Sequence, residues 1–193
     1  SMEHPDVDDE TRNVLDLIKE QTERMSQMTK ILLEMSELNS VPCEDAIELA
    51  PMVEEIFTDL APLAEEKHIA LSSDGDARFI GSDTLIYRML FNLTENAIRY
   101  NRKSGAVRIS VCDDKKYHLI RIKDHGFGIA KADQQSIFQP FFRVDKSRSR
   151  AHGGVGLGLS LVWEIASLHG GSVKVEESSK EGTTILVSLP KER

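Results

Sequence analysis

The sequence predicts an α/β (α+β) protein: a two-layer α/β sandwich in which helices cover one face of a mixed sheet, preceded by a long N-terminal helix. Three observations predict it. Residues from about Asp8 to Asn39 hold no proline or glycine and repeat apolar residues at helical spacing. Beyond them, stretches of helical period interleave with alternating strands joined by short turns, the pattern of a mixed sheet covered by helices. With 40% hydrophobic residues in a chain of 193, there is enough apolar material to bury a core, so one domain with an appendage is expected.

In the leading helix, apolar residues recur at Val14, Ile18, Met25, Met28, Leu32 and Met35. The steps alternate four and three once Gln21 is counted as the polar member, the spacing of a helix packed along another helix. Leu17, Ile31 and Leu38 widen the stripe, so a multi-helix bundle suits it as well as a two-stranded seam, and an amphipathic helix docked on its own domain fits the same spacing. Pro42 and the turn-like stretch through Asp45 end the helix, which divides the chain into a bundle region, 1–41, and a globular domain, 42–193.

The globular domain opens with a strand over Ala46 to Ala50, then a helix over Met52 to Lys67, with Pro51 in its first turn and Pro62 expected to interrupt or kink it. Ile69 to Ser73 and Arg78 to Gly81 read as two strands around an Asp74-Gly75-Asp76 turn. Ser82 or Asp83 can cap the next helix, which runs to about Tyr100. Val107, Ile109 and Val111, then Leu119, Ile120 and Ile122, mark a pair of strands joined by Asp113 to Lys116. Asp124 to Gly158 is irregular, with one short helix near Asp133 to Phe138, and loops of that length in compact domains are usually functional. Leu159 to His169 is helical and stops at Gly170-Gly171, and Val173 to Val175 pairs with Thr183 to Leu189.

Composition excludes several classes. A net charge of -8 disfavours a nucleic-acid partner, because neutralising phosphates needs a basic surface. Cys43 and Cys112 belong to no metal or disulfide pattern, which fits a reducing, cytoplasmic setting. No apolar run approaches the ~20 residues that span a bilayer, so no membrane contact is expected of these residues. Ser1-Met2 is expected to be a cloning remnant ahead of an internal cut, with a longer parent protein.

Three constellations carry chemistry. Asn92 and Asn96 lie one helical turn apart opposite the buried positions Leu85, Met89, Leu93 and Ala97, with Arg99 three residues on, so amide oxygens and a cation can converge on one bound group. Asp124-His125-Gly126-Phe127-Gly128-Ile129 puts a carboxylate at a strand end, followed by two glycines that let backbone approach a ligand. It lacks the third glycine and distant acid of a dinucleotide fingerprint. Gly153-Gly154-Val155-Gly156-Leu157-Gly158 leads straight into a helix whose first amides can bind phosphate oxygens, with Arg143, Lys146, Arg148 and Arg150 upstream and no P-loop element anywhere. Taken singly, a solvated helix face, a structural turn and a mobile basic loop account for the same residues.

In this order and at these distances, the three resemble the ATP-binding domain of sensor histidine kinases, within the wider group that includes gyrase, Hsp90 and MutL. The likeness spans roughly Ile47 to Pro190 and takes in Phe138-Gln139-Pro140-Phe141-Phe142-Arg143, similar to the phenylalanine-rich box of these kinases, and Gly182-Thr183-Thr184, similar to their last glycine box. It implies the Bergerat fold, with ATP and Mg²⁺ as cofactors. By resemblance Asn96 holds Mg²⁺, Asn92 assists near the phosphates, Asp124 binds the adenine amino group, Tyr100 packs on the base, and Arg99 and Arg143 contact phosphate. Gly126, Gly128, Ile129, Phe138, Gly154, Gly156, Leu157, Gly158 and Thr183 complete the implied nucleotide site. Gyrase-type members carry a water-activating glutamate where this chain has Asn92, so phosphoryl transfer to a protein histidine is expected over hydrolysis. Glu95 sits about 100° around the helix from Asn96 and is assigned a helix contact rather than a general-base role.

The resemblance also gives the leading helix a meaning, as the second helix of the hairpin that dimerises into a four-helix bundle. The first helix, which carries the acceptor histidine, is absent. None of His4, His68, His118, His125, His152 and His169 has the acceptor context. The expected partners are therefore that histidine helix of the parent protein, a response-regulator receiver domain, and a second copy in a full-length homodimer. The parent is expected to be a membrane-anchored sensor with this part in the cytoplasm. A chaperone- or topoisomerase-like ATPase and a non-catalytic module are the rival readings.

Overall fold

The computed structural model describes residues 38–142 and 156–191 without a break, together with scattered positions between 11 and 36. Those scattered positions are helical, and the hydroxyls of Thr22 and Thr29 donate to the carbonyls of Ile18 at 2.8 Å and Met25 at 3.0 Å, one turn back. Val14, Ile18 and Met25 are exposed there rather than buried against the globular unit. Met28, Ile31, Leu32 and Met35 lie outside the described residues. Leu38, at the end of this segment, is buried in the core of the domain.

The domain starts with β1 (Asp45–Glu48), which pairs antiparallel with β3 (Arg78–Gly81) in a two-stranded sheet and sets Ile47 against Phe79. Helix α1 (Leu49–Glu66) follows at once. Its N-terminus is capped from a distance: Ala50 N donates to Asp76 Oδ1 at 3.0 Å, because Glu48, the residue before the helix, makes no side-chain cap. Contrary to expectation, α1 continues through Pro62. The ring removes one backbone donor, while Ile56 and Leu60 before it and Ala64 after it are all buried on one stripe, so packing holds the helix across the gap. It stops where His68 adopts φ +55°, with Ile69 N bonded to Ala64 O at 2.8 Å.

A five-stranded sheet carries the rest in the order β2-β4-β5-β7-β6: β2 (Ala70–Asp74), β4 (Ala106–Asp113), β5 (Tyr117–Asp124), β6 (Ser172–Ser179) and β7 (Gly182–Pro190). The pair β2 and β4 is parallel and every other pair is antiparallel, so the sheet is mixed as expected. The Asp74-Gly75-Asp76 stretch does not fold β2 back on β3, which join different sheets. Gly75 instead passes so close to β4 that an added Cβ would lie 1.8 Å from Val111 O.

Helices α1, α2 (Asp83–Arg99) and α3 (Gly158–Leu168) supply the apolar residues that meet the sheet. Ile56, Met89, Leu93 and Ile165 form one core with Val107, Ile109, Ile120, Ile122 and Val187. Residues of the other phase carry ion pairs across the sheet, Arg108 to Asp74 at 2.7 Å and Arg121 to Glu176 at 2.8 Å. The expected short helix near Asp133 to Phe138 is a single 3-10 turn, Ser136–Phe138. Among the described residues no helix is long and apolar enough to cross a membrane.

Buried His169, just past α3, ties that helix to the start of α2. Ser82 N donates to its Nε2 at 3.0 Å, so Nδ1 carries the ring proton and donates to Ile165 O at 2.8 Å. Both helices that frame the site are thereby joined at the end far from it.

Candidate nucleotide site

Helix α2 sets the first part of the site. Ser82 caps it, accepting from Leu85 N at 3.4 Å, with Asp83 in its first turn and Arg99 in its last, each complementing the helix dipole. Leu85, Ile86, Met89, Leu90, Leu93, Ala97 and Ile98 are buried, and this leaves Asn92, Glu95, Asn96 and Arg99 as a half-buried stripe on the remaining face. Asn92 Nδ2 donates to Arg88 O at 2.8 Å, so Oδ1 is the atom it turns outward. A Cβ built on Gly158 would lie 3.0 Å from that oxygen and 4.0 Å from Asn96 Nδ2. The two asparagines and the first residue of α3 therefore share one place.

The first turn of α3 has no side-chain cap. Leu157 is fully buried and anchors the chain there, and Gly156, at φ +81°, accepts from Phe141 N at 2.9 Å, which draws together the two described ends of the long loop. The expected site residues Arg143 and Gly154, and the basic residues Lys146, Arg148 and Arg150, lie outside the described residues.

Asp124 closes β5 at the other end of the site. Its Oδ1 accepts from Gly126 N at 2.7 Å and from Thr183 N at 3.1 Å, and Oδ2 has no hydrogen-bond partner among the described residues. Burial pushes its pKa up, against the downward pull of those two amides and of His125. Gly126 brings the loop against the end of α2, where a Cβ would sit 2.5 Å from Tyr100 O, and the Tyr100 side chain is exposed beside it. Gly128, at φ +76°, would meet Ser179 O with any side chain. Ile129 N donates to Ser178 Oγ at 2.7 Å, and Ser178 Oγ pairs with Thr183 Oγ1 at 2.9 Å. The exposed Phe127 ring lies 5.7 Å from the guanidinium of Arg102, which also donates to Lys180 O.

Two expected ligand groups are engaged elsewhere. Arg99 binds Glu95 through Nε at 3.1 Å and Nη2 at 2.8 Å, the helix contact expected for Glu95, and its carbonyl accepts from Lys67 Nζ at 2.5 Å. Burial, then Arg99, lowers the pKa of Lys67. Phe138 is partly buried and packs against the core. Ser178 and Lys67 went unnoticed in the sequence, since nothing in their neighbours sets them apart; only strand pairing and helix packing bring them to the site.

The sequence model of the family described as histidine kinase-, DNA gyrase B-, and HSP90-like ATPase matches residues 81–193. The sensor-like histidine kinase SenX3 of Mycolicibacterium smegmatis is 34% identical over 190 residues, covering 96% of this chain and 50% of SenX3, so the chain spans about half the length of that relative. Among solved structures, the Acinetobacter baumannii histidine kinase AdeS superposes with a TM-score of 0.74 at 20% identity, over 97% of this chain and 87% of that one. Histidine kinase ThkA, solved in complex with the response regulator protein TrrA, gives a TM-score of 0.69 at 22% identity over 100% of this chain and 55% of its own. At such identities the two structures attest the fold, and the matched sequence model attests descent. A mixed sheet backed by three helices, an asparagine pair against a helix N-terminus, a partly buried carboxylate at a strand end and that match lead to one conclusion: the chain belongs to the histidine kinase-, DNA gyrase B- and HSP90-like ATPase family.

Proposed function

We propose that this chain binds Mg·ATP and passes the γ-phosphoryl group to a histidine on a bundle helix outside this sequence, from which a response-regulator aspartate receives it. The observation that carries the reading is the meeting of Asn92 Oδ1 and Asn96 with the uncapped start of α3 at Gly158. Exposed amides and a helix dipole suit phosphate oxygens there, and Asp124 Oδ2 suits the adenine amino group at the other end. Arg143 and Gly154 are assigned to the phosphates by resemblance, as is Arg99, which would have to leave Glu95 to reach them, and Tyr100 is assigned to the base.

The residues present suit Mg²⁺. The hard amide oxygen of Asn96 would be the protein ligand of a Mg²⁺ ion that reaches the site with the phosphates, an ion that commonly keeps few protein ligands. Held there, the ion would supply charge neutralisation for phosphoryl transfer. The protein's part is to orient and to neutralise. Asn92 cannot accept a proton from water, which favours transfer to a histidine over hydrolysis.

The names of the relatives support the kinase reading, and ThkA with its response regulator supports a receiver domain as partner. The exposed Val14, Ile18 and Met25 support a bundle with another helix and a second copy of the protein. We place the chain in the cytoplasmic part of a membrane-anchored sensor; the names of its relatives support the sensor part of that reading. To test the proposal, the protein is incubated with radiolabelled Mg·ATP, alone and with a separately supplied acceptor-helix hairpin. Acid-labile label on the hairpin is expected. Steady ATP turnover by the chain alone, with no label transferred, would overturn it in favour of an ATPase.

A further inference from the structure

We infer that Ser178 is a positioning residue for base recognition, holding Asp124 and Thr183 in fixed relation so that the pair reads the purine edge. The inference rests on the reading of Asp124 as the adenine partner.

Ser178 lies on β6 directly across from Thr183 on β7. Its hydroxyl oxygen accepts from Ile129 N at 2.7 Å and shares a 2.9 Å hydrogen bond with Thr183 Oγ1, while Thr183 N donates to Asp124 Oδ1 at 3.1 Å. Asp124 and Ile129 are the two ends of the glycine loop. One serine therefore ties the far end of that loop to the residue that holds the near end. Two glycines keep the hairpin and the loop at a distance no side chain permits: a Cβ on Gly128 would lie 1.9 Å from Ser179 O, and one on Gly182 2.0 Å from Asp124 O. With backbone on backbone at both points, the loop has little room to shift while Ser178 holds it.

Strand register places Ser178 there through an irregularity. The ladder pairs Val175 with Ile185 and then Glu177 with Thr184, so Glu176 is an extra residue in β6. Continued from Val175–Ile185 without that shift, the ladder would set Glu176 against Thr184 and Glu177 against Thr183, and a carboxylate cannot donate to the Thr183 hydroxyl. Arg121 grips the extra residue, with Nε 2.8 Å from Glu176 Oε2 and Nη2 3.1 Å from Oε1. A bulge that re-aims one side chain next to a ligand site is a known use of the device. This one aims a hydroxyl at the Asp124 loop.

The test compares ATP with inosine triphosphate, which has a carbonyl oxygen in place of the adenine amino group and so lacks the donor assigned to Asp124 Oδ2. Titration calorimetry on the full chain, with apo melting temperature recorded alongside, covers wild type, Ser178→Ala, Ser178→Thr and Asp124→Asn. Ser178→Ala is expected to weaken ATP roughly tenfold and inosine triphosphate by less than about threefold, and Ser178→Thr, which keeps the hydroxyl, to restore ATP binding to within about threefold of wild type. Should Ala unsettle the hairpin, Ser178→Cys substitutes a similar shape with a poor hydrogen-bonding group and is expected to show the same selective loss. An unchanged ratio of the two affinities in Ser178→Ala, with both equal to wild type or both equally weakened, overturns the positioning role. If Asp124→Asn weakens ATP while Ser178→Ala does not, only the role of Ser178 fails. If Asp124→Asn binds ATP normally, the adenine reading fails and this inference with it.

Discussion

Gly158 and Asn92 face each other so closely that a methyl group on the glycine would sit 3.0 Å from Asn92 Oδ1. The first residue of α3 thus leaves room for the asparagine, and for whatever the asparagine binds. Gly158→Ala separates stability from function. Alanine improves helix propensity by up to about 1 kcal/mol, so the melting temperature should hold or rise, while ATP affinity should fall roughly tenfold as Asn92 is displaced. Titration of ATP into the variant checks this, and wild-type affinity would rule out a role for the contact in binding.

Asn96 is expected to couple nucleotide to cation. In Asn96→Ala, adding Mg²⁺ should no longer tighten ATP binding, because the protein's share of the coordination is gone. Calorimetry with Mg²⁺ and with chelator measures the difference. A variant as Mg²⁺-dependent as wild type would remove Asn96 from the metal site.

Asp124 trades stability for recognition. Burial raises its pKa in the folded chain above the unfolded value, so the charged form weighs against folding: that cost is absent below the unfolded pKa and complete above the folded one. Apo stability attributable to this group should therefore fall as pH rises through that acidic window. ATP affinity should move the opposite way, since only the ionised carboxylate can accept from the two amides at Oδ1 and leave Oδ2, without a proton, to accept from the amino group. Asp124→Asn is expected to bind ATP at least roughly tenfold more weakly with the fold intact, and its apo form to lose the Asp124 part of the pH dependence. Thermal melts from acid to neutral pH, run beside ATP titrations, check both signs.

His68 is exposed and holds φ +55° at the end of α1, a conformation glycine adopts without a Cβ penalty. His68→Gly should stabilise the domain by about 0.5–1 kcal/mol and leave ATP binding unchanged. Urea unfolding gives the value, and a destabilised variant would show that the imidazole makes a contact worth more than the strain.

Much of this protein was legible in its sequence because the signals are local. The 3.6-residue stripe of Leu85, Met89, Leu93 and Ala97 determined which face of α2 is buried, and hence that Asn92 and Asn96 look the other way. Val107, Ile109 and Val111 alternate and lie in β4, and Gly170, at φ +69°, stops α3 where the glycine pair predicted. Pro62 misled because the cost of a proline is local, while the burial that outweighs it is tertiary. The Asp74-Gly75-Asp76 turn misled because a turn signal says that the chain bends, not which strand it then joins.

The tertiary structure alone decided everything that depends on residues distant in sequence. Asp76 caps α1 across 26 residues and His169 holds Ser82 across 87. The register shift between Val175 and Glu177 sets Ser178, and not Glu177, across from Thr183. Residue type and spacing determined what each group can bind, because donors, acceptors and helical period are properties of a few neighbouring residues. Which groups share a site was settled by strand register and helix packing, which arise only when the whole core closes.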